Sequence, residues 1–447
     1  MRANLNSSNV LFRQLRKMNP SEYDALWHIL SILGKATAWL VGAQKENGSW
    51  GRFKEDGEDI FGTYIGVWAL SEIGMADTEY VKKAIGWFGK VRRSDGSWGG
   101  SIDSTARGLI TFLSHEDYAQ ELTQRGVEFL LKQKHENGGW PREIGTEEGS
   151  EIVQLRGASE VGATLPIITA LSLSRVRFPE GDVGLEAEKH LRSAINWLKK
   201  SQNMDGGWAH FGRGESDVLA TAWALRMLLD AGEKANSVFV QRGVDFLLLN
   251  QNEDGSWGRR KGQKEDVVHS YNAVHSLILS GKELKMKQVQ EGFRWLFARQ
   301  NSDGSWGAEK GSRGLVRFTA SMIIIISRAL KKEKLTVPLS TVFRISLLLG
   351  WQITRPVKMI NRRLNLYSSK NMIIFAAGFA ILAFLLGVSF LPLSNNIILG
   401  WQNLPTRVQD AVIIGIPTSI LAGLLTRLLY DYLRKRSSRG SKLNDKM

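Results

Sequence analysis

Six tryptophans, each just behind a Gly-rich turn, cut much of this chain into copies of one unit. They are Trp50 in "QKENGSWG", Trp98 in "RRSDGSWG", Trp140 in "QKHENGGW", Trp208 in "QNMDGGW", Trp257 in "QNEDGSWG" and Trp306 in "QNSDGSWG". Their spacings are 48, 42, 68, 49 and 49 residues, the long one holding an insertion at Pro141 to Ser159 and Arg175 to Gly184. A period of this length means a supersecondary unit that cannot bury its apolar face alone and has to stack on its copies.

Each unit reads as a helix pair. Ahead of the turns stand amphipathic stretches such as "KAIGWFGKV" (Lys83 to Val91) and "EGFRWLFAR" (Glu291 to Arg299), apolar at three- and four-residue steps. Behind them come more apolar helices such as "TAWALRMLL" (Thr221 to Leu229) and "TASMIIIIS" (Thr319 to Ser327). The count gives twelve helices in six pairs, an all-α chain. The Asn-Gly and Asp-Gly dipeptides are expected to end the first helix of each pair, with Gly as its left-handed C-cap. The Trp is expected to pack back over the preceding turn, and Gln44, Gln202, Gln251 and Gln300, six residues before their Trp, to hydrogen-bond backbone at a neighbouring helix end. Repetition alone permits an open solenoid or a closed ring.

The string Arg242-Gly243, Phe246-Leu247, Gln251, Gly255-Ser256-Trp257 resembles the QW motif of squalene-hopene and oxidosqualene cyclases, whose toroid is shared with the β subunits of protein prenyltransferases. The resemblance recurs six times over about residues 35–330. It implies an (α/α)6 toroid with an outer helix before each QW turn and an inner, cavity-lining helix after it.

The resemblance also implies where the chemistry ought to sit. Proton-initiated cyclases carry a DxDDTA motif at the start of an inner helix, its middle Asp protonating an alkene or epoxide. Here the matching segment is "DVLATA", Asp217 to Ala222, with Leu219 at the donor position and Ala220 beside it. Asp217 has a counterpart four residues before the inner-helix Ser/Thr in other repeats, at Asp59, Glu160 and Asp266, which reads as helix N-capping. Across the six repeats the donor register is Phe61, Asp103, Gly162, Leu219, Val268 and Arg317, so Asp103 is the one candidate acid. An ion pair with Arg107, four residues on, or with Arg317 across the ring is the favoured alternative for it.

Tyr64, Trp68, Trp223, Tyr271 and Met322 are expected to line an apolar cavity, with His275 one turn beyond Tyr271. The prenyltransferase zinc site is missing: Asp266 matches its Asp, but Val268 and Phe318 replace its Cys and His, so no metal or other cofactor is expected. The diphosphate pocket of those enzymes leaves a partial trace in Arg260, Lys264 and His269, although a solvated rim is the favoured reading of these basic residues. Arg107, Arg260, Lys264, His269, His275 and Arg317 join Tyr64, Trp68, Trp223 and Tyr271 as the candidate substrate-binding set.

The formal net charge is +15, from 59 Lys+Arg against 44 Asp+Glu. Its placement points to a membrane rather than to nucleic acid. Met372 to Leu391 runs twenty residues without a charge, the length that spans a hydrocarbon core, and Ala411 to Leu425 makes a shorter second apolar run. Lys and Arg crowd the segments before the first run and after the second, which by the positive-inside bias puts both termini in the cytoplasm of a two-span cell-membrane protein. The zero Cys count excludes disulfides and thiolate chemistry. The domain expectation is an N-terminal helical extension over 1–34, the toroid over 35–335, an amphipathic basic linker over 336–370, a transmembrane hairpin over 371–430 and a basic tail over 431–447. Two functions fit: a membrane-anchored terpene cyclase-like protein acting on or binding a polyprenyl lipid without the usual acid, or a noncatalytic tethered toroid that binds a lipid or a protein partner.

Overall fold

In the computed structural model of the protein, residues 20–115, 120–141 and 159–333 are described. The segments read as membrane spans, linker and basic tail lie outside them. No helix among the described residues is long and apolar enough to cross a membrane.

Twelve α-helices alternate between an outer and an inner layer, and the described residues contain isolated bridges but no strand. The outer helices are α1 (Pro20–Gly42), α3 (Glu79–Val91), α5 (Gln120–Lys132), α7 (Asp182–Lys200), α9 (Val238–Leu249) and α11 (Lys287–Phe297). The inner ones are α2 (Ile60–Glu72), α4 (Ile102–Leu113), α6 (Val161–Arg177), α8 (Val218–Asp230), α10 (Val267–Leu279) and α12 (Val316–Lys332). Residues 20–34 therefore belong to the first outer helix rather than to a separate extension, because α1 runs unbroken from Pro20.

The ring is closed. Each inner helix packs on the next, and α12 packs on α2. Each of α3, α5, α7, α9 and α11 packs on the inner helix that precedes it, and α1 stands in the same relation to α12. Backbone hydrogen bonds join neighbouring loops, from Val161 N to His210 O and from Val218 N to Arg259 O; Val316 N to Arg52 O does the same at the seam.

The repeated turn explains why the units join. All six QW tryptophans are fully buried. Each Nε1–H donates to the carbonyl ten residues earlier, Leu40 for Trp50 and Leu296 for Trp306, at 2.7–3.0 Å in every repeat. That carbonyl lies in the last turn of the outer helix, past the regular i+4 ladder, where the remaining backbone donors are long, as Ala43 N to Leu40 O at 3.2 Å. Each Trp backbone N–H donates to a Ser or Thr hydroxyl at the start of the inner helix, from Thr63 to Thr319, at 2.9–3.1 Å. One residue thus ties the end of the outer helix to the start of the inner one.

The turn glycines do not cap the outer helices. Helix α9 ends at Leu249 with Asn250 as C-cap, whereas Gly255, at φ +88°, lies in a separate turn pressed on the Glu291 backbone of α11. A Cβ there would come within 2.7 Å of the Glu291 carbonyl carbon, so both the left-handed conformation and the close approach of the next unit require glycine. The conserved geometry of the clasp extends to the glutamines: Gln251 Nε2 donates to Gly255 O and to Gln288 O, both at 2.9 Å. Gln44 and Gln202 make the same pair of bonds, reaching Tyr80 O and Phe239 O in the next outer helix.

Candidate functional site

Inside the ring of inner helices lies a cavity of about 250 Å³. Seven of the ten candidate binding residues line it: Tyr64, Trp68, Arg107, Trp223, Tyr271, His275 and Arg317. Met322 does not; it is fully buried in the packing of α12. Four residues of the donor register, Phe61, Gly162, Val268 and Arg317, also reach the cavity, while Asp103 and Leu219 are not in its wall.

Asp103 is held by Arg107. Arg107 Nε donates to Oδ2 and its second guanidinium nitrogen to Oδ1, both at 2.7 Å, and the Asp103 side chain is 43% exposed. Both carboxylate oxygens are thus engaged by one guanidinium in a bidentate, charge-assisted pair, the ion pair that the i, i+4 spacing favours over an acid aimed into the cavity. Burial works against the charge on Arg107, but Asp103 outweighs it and raises the guanidinium above its ordinary value. No ion pair joins Asp103 to Arg317 among the described residues.

The three remaining candidates lie outside the cavity wall and have local partners. Arg260 donates to Ser216 O at 3.0 Å and pairs with Glu215. Lys264 pairs with Glu309 at 3.3 Å on the exposed rim. His269 Nδ1 lies 2.6 Å from Asp266 Oδ2, and burial, which would raise the Asp266 pKa, is outweighed by His269, so the carboxyl titrates below its ordinary value. The carboxylates at the inner-helix starts are caps in three of four cases: Asp59, Asp217 and Asp266 accept from Gly62 N, Ala220 N and His269 N. Glu160 sits at the N-cap position without a side-chain capping bond and instead places Oε1 3.8 Å from His210 Nδ1. Asp217 is completely buried with His210 Nε2 at 2.8 Å; burial raises its pKa, but His210 and the Ala220 amide overcome that and leave it lowered. No cluster of three or more metal-ligating side chains occurs among the described residues.

Residues not singled out by the sequence complete the site. Arg226 lines the cavity with its guanidinium carbon 5.5 Å from the Trp68 ring centroid, and Arg328 approaches the same ring at 5.2 Å. Arg328 also donates to His275 Nε2 at 3.1 Å and stands 3.5 Å from Glu72. An arginine can only donate, so Nε2 is the unprotonated nitrogen of a neutral imidazole. Burial, reinforced by Arg226 and Arg328, pushes His275 well below its ordinary pKa, in agreement with that tautomer. The signal for Arg226 was present: it follows Leu219 by seven residues, as His275 follows Val268 and Trp68 follows Phe61, and so shares their helical stripe.

A closed ring of six helix pairs stapled by QW turns around an interior cavity defines a terpene cyclase-type toroid. The chain belongs to the family of the squalene-hopene cyclase C-terminal domain, which it matches over residues 23–152, 179–264 and 221–319. It is 26% identical over 225 residues to the squalene–hopene cyclase of Zymomonas mobilis, a match covering 47% of this chain and 27% of that enzyme. The chain thus spans little more than a quarter of the length of the curated relatives it matches. Among solved structures, a variant of the type II terpene cyclase MstE from Scytonema, in complex with geranylgeranyl dihydroxybenzoate, superposes with a TM-score of 0.52 at 16% identity, over 69% of this chain and 99% of that one. A glycosidase in complex with glucose superposes as well, with a TM-score of 0.53 at 11% identity, over 70% of this chain and 99% of that one. At these identities the likeness is one of fold.

Proposed function

We propose that this protein is a membrane-anchored, terpene cyclase-like toroid that binds an isoprenoid lipid in its cavity without initiating cyclisation by protonation. The observation that carries the reading is the charge of the wall. Its described residues include three guanidiniums, Arg107, Arg226 and Arg317, and no carboxylate. Protonation-initiated cyclisation needs an acid to start it and a wall that stabilises positive charge. Here the donor register offers Phe61, Gly162, Val268 and Arg317 to the cavity, and fixed cations within a few ångström destabilise a carbocation by several kcal/mol at a low effective dielectric.

Aromatic faces from Tyr64, Trp68, Trp223 and Tyr271 supply the apolar surface an isoprenoid tail requires. About 250 Å³ sits just under the roughly 300–1,000 Å³ of ordinary small-molecule sites, so the cavity suits a short isoprenoid or one end of a longer one. Membrane attachment rests on the uncharged run Met372 to Leu391 and its basic flanks, which would bring the toroid to the bilayer that holds such lipids.

The test is an incubation of the full chain in deuterated water with squalene and with farnesyl and geranylgeranyl compounds, followed by mass spectrometry of the extracted lipids. Saturable binding without deuterium-bearing cyclic products is the expected result. A cyclised product that has gained one solvent deuteron overturns the reading.

A further inference from the structure

We propose that the cavity takes its ligand by an anionic head, an oxyanion of the phosphate or carboxylate class, held by Arg226 and Arg317. The proposal rests on the isoprenoid reading for the tail and on two otherwise uncompensated guanidiniums for the head.

The cations in and behind the wall are not equivalent. Arg107 is neutralised by the two hydrogen bonds from its own nitrogens to Asp103. Arg328 is matched by Glu72 at 3.5 Å. His275 is a neutral acceptor and brings no charge. Arg226 and Arg317 differ from all of these: neither makes an ion pair with a described residue, and the Nε of each is enclosed without a hydrogen-bond partner. Asp230, the carboxylate whose field acts on Arg226, accepts from Thr169 at 2.8 Å and is not within ion-pairing distance of the guanidinium.

The compensation that does exist is aromatic. Arg226 lies over Trp68 at 5.5 Å and Arg317 over Phe318 at 4.6 Å. Such contacts recover part of the lost hydration of a guanidinium but satisfy none of its directional N–H donors. Burial depresses the pKa of both groups, yet arginine stays protonated in proteins, so the charge persists in the wall. Two half-buried, donor-rich cations that line one cavity, each with an enclosed Nε the protein leaves unpaired, form a receptor for an anion with several acceptor oxygens.

Titration calorimetry of the full chain in mild detergent tests this with four probes: farnesyl diphosphate, farnesoic acid, farnesol and inorganic pyrophosphate. At least one of the two charged farnesyl compounds should bind ten or more times more tightly than farnesol, and which one does so assigns the head as phosphoryl or carboxyl. The gap should shrink to under threefold in Arg226→Gln and in Arg317→Gln, and persist in Lys264→Gln on the rim. Because Arg226→Gln removes a half-buried charge that has no ion-pair partner, it should also melt no lower than the parent without ligand, which separates lost recognition from lost folding. Farnesol binding as tightly as both anions, or a gap that survives both arginine substitutions, overturns the proposal while leaving isoprenoid binding intact. Pyrophosphate binding that depends on Arg226 and Arg317, with no farnesyl compound bound, upholds the anion site and removes the isoprenoid reading.

Discussion

Gln300 Nε2 donates to Ile32 O at 2.9 Å, joining the last clasp of the chain to its first helix across 268 residues. Beside it Gly304, at φ +97°, presses on Lys35, where an added Cβ would come within 2.5 Å of the carbonyl oxygen. The last repeat therefore treats α1 as the repeats of Gln44, Gln202 and Gln251 treat their successors, and the ring closes by the same contacts that build it.

Breaking that seam should cost more than its few atoms suggest. Gln300→Ala removes two hydrogen bonds and leaves the Ile32 and Gly304 carbonyls without this donor, a loss of about 1–3 kcal/mol. Gly304→Ala adds a clash and an unfavourable φ, and should cost more than about 1 kcal/mol. Urea denaturation of each variant measures both, and a change below about 0.5 kcal/mol in both would mean that the seam is not held by this clasp.

Substituting a QW tryptophan probes the link within a repeat. Trp257→Phe keeps most of the ring volume but removes the Nε1–H bond to Leu247 O, 2.8 Å long and wholly buried. Leu247 O keeps only the longer bond from the Asn250 amide at 3.3 Å, so the loss should destabilise the fold by about 0.5–1.5 kcal/mol. A scan of the six equivalent positions should give losses of similar size, since every site makes the same bond.

The ion pair at Asp103 leads to an opposite expectation from that of an acid. Asp103→Asn should leave lipid binding within about twofold and change stability by less than about 1 kcal/mol, because a part-exposed helix pair is screened by solvent. Retention of labelled farnesyl compounds on a filter reads the first quantity and denaturation the second. A hundredfold loss of a measured cyclisation rate would restore Asp103 as an acid.

The depressed His275 makes stability depend on pH in a stated direction. Its folded pKa lies well below the ordinary 6.5, so below about 6.5 the unfolded chain binds a proton that the folded chain refuses. Stability is then complete above about pH 6.5 and falls as pH drops, by up to about 1.4 kcal/mol per pH unit. His190, also lowered by burial and by Lys134, adds to the same slope. In His275→Gln the slope of unfolding free energy between pH 6.5 and 5 should diminish and His190's share remain; an unchanged slope would show that His275 titrates normally.

The architecture was legible in the sequence because its cause is repeated. Six turns with Trp at one offset, four of them with Gln six residues earlier, announced six copies, and the apolar character of "TASMIIIIS" against "EGFRWLFAR" separated inner from outer helices. The glycines were misplaced at helix ends because an Asn-Gly pair signals a left-handed residue without saying what leans on it, and here the next unit does. The site was only half legible. Tyr64, Trp68 and His275 were found by their stripe, but Arg226 was passed over since a lone arginine on an apolar helix reads as an interface residue until the ring sets its depth. Arg260 and Lys264 lie close to the motif in sequence but pair with Glu215 and Glu309 in space, in keeping with the solvated rim that the sequence favours for them.

Native mass spectrometry of the full chain, purified from expressing cells in mild detergent, tests the central claim most directly. The account predicts one bound isoprenoid lipid per chain, lost in Gly162→Leu, where the added Cβ would stand 2.4 Å from the Trp223 ring and force the indole or the new side chain into the cavity. A chain that carries no lipid, or one whose lipid remains in Gly162→Leu, would contradict it.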